Sequence, residues 1–140
     1  MAKEPEISMA PAHPVRNRYE VILDLYLIGL SIVMMIFGLM QWAVILGIID
    51  GGGGSFEAMT TGWKIVTIHL AVVDLVASVG LWMRVAWGRV VWVYAAVSEI
   101  VFHTALAGSF GIDLPKIVFH FTTLALFVVL TFLARRHNRY

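Results

Sequence analysis

The sequence predicts an all-α integral membrane protein: an antiparallel four-helix bundle, up-down-up-down, with both termini in the cytoplasm. Composition, run length and charge placement predict it together. Apolar residues make up 60% of the 140-residue chain and charged residues only 14%, with a mean hydropathy of +0.86. Soluble domains average about 45–50% and about 25%. The apolar residues gather into four runs, and roughly 20 in a helix are enough to cross a hydrocarbon core of about 30 Å. Lys and Arg fall mostly on one side of the topology those runs imply, the side that the positive-inside rule assigns to the cytoplasm.

Residues 1–18 open with "MAKEPEISMAPAHPV", which contains Pro and Glu and no apolar core of signal-peptide length. They predict a short disordered cytoplasmic tail. The membrane domain then occupies 19–135, with spans at about 21–49, 63–83, 90–108 and 117–133. A glycine-rich "DGGGGSFEAMTTG" joins the first two spans and is expected to be mobile, because glycine is entropically expensive to order. The connections "RVAWGR" and "SFGIDLPK" are short. Residues 136–140 form a basic tail suited to anionic headgroups. Lys3, Arg16, Arg18, Arg84, Arg89, Arg135, Arg136 and Arg139 share one side, whereas the other holds only Lys64 and Lys116. Trp63, Trp82, Trp87 and Trp92 lie at or near span ends and are expected to anchor at the lipid interface.

In lipid, polar and small residues mark the face turned toward other helices. Such stripes run through Asp24, Ser31, Gly38 and Trp42; through Asp74 and Ser78; through Ala95, Ala96, Glu99, His103 and Ala107; and through His120, Thr123, Phe127 and Thr131. At about 1.5 Å per residue, His69, His103 and His120 share one level in the outer leaflet, with Asp74 and Glu99 about a turn or more deeper. His69 and Asp74 are five residues apart and diverge by about 140°, so both cannot face one narrow centre. Asp24 is level with Arg84, Arg89 and Arg135 and is expected to form an ion pair.

An ionised Asp at the centre of a span costs about 2.5–3.5 kcal/mol on insertion scales. Asp74, Glu99 and His103 are therefore candidate polar-core or ligand-binding residues, and Glu99 and His103, four apart, can share a proton on one helix face. Four readings of this cluster stay open. It is interhelical hydrogen-bond glue; or a site for a quinone or other small amphiphile; or a metal or haem site built from His69, His103 and His120; or a proton relay. The chain has no Cys, no HExxH, no phosphate-binding glycine loop and no Ser-His-Asp set, so no catalytic residue is assigned and no resident cofactor is the leading expectation. A net charge of +1 without a basic, aromatic-studded patch gives no sign of a nucleic-acid partner, and none is expected.

The stretch "VVDLVASVGLWMRVAWGRVVWVYAAVSEIVFH", with "GLMQWAVILGI" before the glycine loop, resembles the domain of unknown function 6163 family. The portion around Val79–Trp82, Trp87–Gly88 and Val91–Trp92 carries most of the likeness, which covers residues 20 to 135. The resemblance implies a small four-helix protein of the alphaproteobacterial inner membrane; it brings no activity or cofactor. A looser likeness to DoxX-like membrane proteins lies in chain plan only. The leading expectation is a non-enzymatic accessory or interaction protein, as a homo-oligomer or within a larger membrane complex.

Overall fold

Asn17 opens the first helix. Its side chain accepts the backbone N–H of Tyr19 at 3.1 Å, and its own N–H donates to the Glu20 carboxylate at 3.3 Å, a reciprocal cap. In this computed structural model, which describes residues 16–137, five helices follow one another: α1 (Arg18–Ile45), α2 (Thr61–Trp82), α3 (Ala86–Thr104), the short α4 (Ala107–Phe110) and α5 (Leu114–His137). One 3-10 turn, Phe56–Ala58, sits between α1 and α2, and no strand occurs among the described residues. Lys3, Arg139 and the tails 1–15 and 138–140 lie outside them.

Helix ends differ from the apolar runs for identifiable reasons. The first run reads as a span to Ile49, but α1 stops at Ile45. Gly47 takes φ +70°, its N–H donates to Val44, and the N–H of Ile48 reaches back to Ala43 at 2.8 Å. That is the glycine-terminated C-cap, and it acts regardless of how greasy the next residues are. α2 ends the same way with a non-glycine in the left-handed position, Arg84 at φ 56°. The third run was expected to reach Gly108. α3 instead closes at Thr104, and α4 and the turn at Gly111 (φ 72°) precede α5. At the α5 start the Asp113 carboxylate accepts the Lys116 N–H at 3.3 Å. The glycine loop, expected to be mobile, is turned back on itself: Gly51 and Gly54 exchange two backbone hydrogen bonds of 3.0 Å.

α1 packs against α2 and α5, and α3 packs against the same two helices. Directions alternate. The start of α1 meets the end of α2 through Asp24 and Arg84, and the end of α5 through the Tyr19 and His137 rings, 5.7 Å apart. The Tyr26 hydroxyl donates to the Thr123 carbonyl at 2.6 Å, and the Ser78 hydroxyl donates to the Ser31 carbonyl at 2.8 Å. Leu27, Leu30, Met34, Ala77, Leu81, Trp92 and Ala95 form the core. At the α2–α3 corner the backbones of Gly80 and Gly88 nearly touch; a Cβ on either would fall within 2.5 Å of the other's backbone.

The outside is as apolar as the inside. Leu25, Leu39, Ile65, Val90, Val128 and Phe132 are each more than half exposed. α1, α2 and α5 are long and apolar enough to cross a membrane. α3 is not among them: it has 19 residues, among them Arg89, Glu99 and His103.

The predicted inward stripes hold at Ser31, Gly38, Asp74, Ser78, Ala95, Ala96, Glu99, His103 and His120, all buried. Trp42 departs from its stripe and is 39% exposed. Trp92 departs in the other direction. Expected as an interface anchor, it is fully buried and meets Phe127 edge-on at 5.4 Å, because α5 packs across α3 at that level. Trp82 and Trp87 are exposed, and Trp63 is half-buried between the glycine loop and Phe110.

Candidate functional site: a buried acid and imidazole cluster

Ionisable side chains of α3 and α5 meet on the face the two helices share. Glu99 of α3 is 2% exposed and His120 of α5 is 1% exposed, and the imidazole Nε2 hydrogen-bonds the Glu99 Oε2. The second carboxylate oxygen, Oε1, lies 3.7 Å from the Lys116 Nζ. Lys116 precedes His120 by four residues, so one turn of α5 presents both to Glu99. A buried carboxylate held by an amine and an imidazole can keep its charge where an unpaired one could not.

This corrects the expected pairing. Glu99 and His103 share a helix face, yet His103 turns its Nδ1 to the Gly111 carbonyl, 3.2 Å away, beyond α4. The carboxylate is already engaged from α5. The sequence offered a signal for the real partners, since Lys116 and His120 repeat the i, i+4 spacing of Glu99 and His103; only the pairing between helices was hidden.

The three histidines do not converge. His120 is on Glu99 and His103 on Gly111. His69 lies between the rings of Tyr94 (5.5 Å) and Phe102 (6.1 Å), and its Nε2 has no hydrogen-bond partner. Among the described residues no three His, Asp or Glu side chains are placed to hold a metal ion. The metal or haem reading of His69, His103 and His120 therefore finds no converging set: the divergence of His69 around α2 carries it toward the rings of Tyr94 and Phe102.

Asp74 is 1% exposed and neither carboxylate oxygen has a hydrogen-bond partner in the protein. Ser78, one turn on, is committed to the Ser31 carbonyl. The Nδ1 of His120 is likewise buried without a partner.

Next to the cluster lies a cavity of about 110 Å³, walled by Gln41 of α1, Val66, Thr67 and Leu70 of α2, His103 of α3, and Asp113 and Lys116 at the head of α5. Gly51, Gly52 and Trp63 close it over. Lys116 thus faces the cavity and touches Glu99. At the opposite, basic end, Asp24 pairs with Arg16 and with Arg84 (3.3 Å), as its height relative to Arg84 predicted.

Fold and site together define an all-α protein with helices able to cross a membrane and a buried acid–imidazole pair between two of its helices. The chain belongs to the family of unknown function DUF6163, whose model matches residues 21–138. Searches of curated proteins and of solved structures gave no match.

Proposed function

We propose that the chain is a multi-pass, non-enzymatic protein of the bacterial inner membrane, and that it holds a small polar ligand in the cavity beside Glu99. In this reading α1, α2, α3 and α5 all cross, as an antiparallel four-helix bundle with its basic end in the cytoplasm and the cavity on the outer side. The alternating directions, the exposed apolar surface and the Arg-rich end support the membrane part. α3 crosses despite its charges because they face inward: Glu99 onto α5, and His103 toward the α4 turn.

Lys116 carries the ligand part. It lines the cavity and also reaches Glu99, so a guest in the cavity is one side chain away from a buried charge. His103, Gln41 and Asp113 supply further donors and acceptors in the same wall. These groups can hold a polar guest by charge and hydrogen bonds, and binding is the chemistry we read from them. An accessory role within a larger membrane complex is consistent with that.

The test is to purify the full chain in mild detergent, record its absorption spectrum and metal content, and measure its native mass. A small bound molecule that is lost in His103→Gln, with the fold retained, is the expected result. Bare protein mass in the parent would end the ligand reading. The orphaned oxygens of Asp74 favour a second reading, in which protons enter from the cavity through Glu99 and His120 to Asp74. It requires proton flux in reconstituted vesicles that Glu99→Gln abolishes; absence of flux in the parent would exclude it.

A further inference from the structure

We infer that the basic end of the molecule carries a site for one anionic phospholipid, held between α3 and α5 by Arg89 and Arg135. An open cavity of about 480 Å³ lies there, lined by Ala86, Arg89, Val90, Val93, Phe127 and Arg135. Its chemistry is layered. Arg89 belongs to the opening turns of α3 and Arg135 to the last turn of α5, at the same end of the molecule. Val93 and Phe127 lie inward of them along the same two helices, Phe127 about two turns from Arg135. A charged rim above an apolar wall matches a phosphate headgroup with its acyl chain.

Among the described residues, neither guanidinium group is held by a carboxylate. Arg16 and Arg84 spend their charge on Asp24. Among the same residues the Nε of Arg89 is buried with no hydrogen-bond partner. α3 also starts without a side-chain cap, Val85 having none to offer, and Ala86 of its first turn lines the cavity. The open N–H groups and the positive end of the helix dipole add to the attraction for a phosphate. The wall of Val90, Val93 and Phe127 selects the lipid over a free ion, because a hydrated phosphate gains nothing from it. Val90 is 69% exposed, an apolar surface that an acyl chain would cover.

The inference rests on the membrane part of the function proposed above, since only a bilayer supplies this ligand at that level. It is tested on the full chain in mild detergent, mixed with phosphatidylglycerol or phosphatidylcholine, by native mass spectrometry of retained lipid. One phosphatidylglycerol should be held in preference to phosphatidylcholine. Arg89→Gln and Arg135→Gln should each weaken it by roughly fivefold, the equivalent of about 1 kcal/mol per basic residue at an anionic surface. Arg89→Lys, which keeps the charge, should retain most of the binding, and Arg136→Gln, outside the cavity, should change little. Equal retention of the two lipids overturns the inference. So does an equal loss in Arg136→Gln, which would reduce the effect to diffuse surface charge, and so does displacement by millimolar inorganic phosphate, which would assign the site to the free ion. Failure of the membrane reading is separately visible: alkaline washing would then release the chain from membranes, whatever it binds in detergent.

Discussion

Glu99 makes two contacts with α5, to His120 and to Lys116, and no hydrogen bond with the histidine one turn along its own helix. Removing one member of a buried ion pair strands the other, which costs about 3–5 kcal/mol in soluble interiors. Residues in direct contact, or within one hydrogen-bond or ion-pair network, couple by about 0.5–3 kcal/mol in double-mutant cycles. We therefore expect Glu99→Gln and His120→Gln to couple within that range in detergent unfolding. Glu99→Gln and His103→Gln, which share no hydrogen bond, should couple less strongly. If the larger coupling fell on His103, the pairing described here would be wrong.

Helices are joined by their smallest residues. At the α2–α3 corner, a methyl group on Gly88 would come within 2.2 Å of the Gly80 carbonyl carbon, where the obstacle is backbone and cannot rotate away. Gly88→Ala should therefore lower stability by at least about 1–3 kcal/mol, the usual range for overpacking. Gly29 of α1 has nothing within 4 Å of the equivalent position, and Gly29→Ala should leave the melting temperature unchanged or raise it. Equal loss in both variants would mean that the corner is not close-packed. The same corner sets where α3 begins, and so the height at which Glu99 meets His120.

For the molecule as a whole, alternation of the four long helices places the loops 46–60 and 105–113 together and the 83–85 turn at the other end. The chain has no Cys, so single cysteines can be introduced without background. In sealed vesicles an impermeant thiol reagent should label Ser55→Cys and Ser109→Cys from one side and Met83→Cys from the other. Labelling of Ser109→Cys from the Met83 side would show that α3 does not cross.

The sequence by itself determined that the chain is helical, that it is apolar enough for lipid, and which faces turn inward. These follow from run length and from the repeat of small and polar residues, both local properties. Four of the polar residues it turned inward, Asp74, Glu99, His103 and His120, are buried. Tertiary structure alone decided which of them meet. The choice of His120 over His103 for Glu99, the separation of the histidines, the burial of Trp92 and the stop of α1 at Gly47 depend on how one helix is rotated and shifted against another. A rotation of one residue about a helix axis moves a side chain by about 100°, and no periodicity in a single chain records the angle of its neighbour.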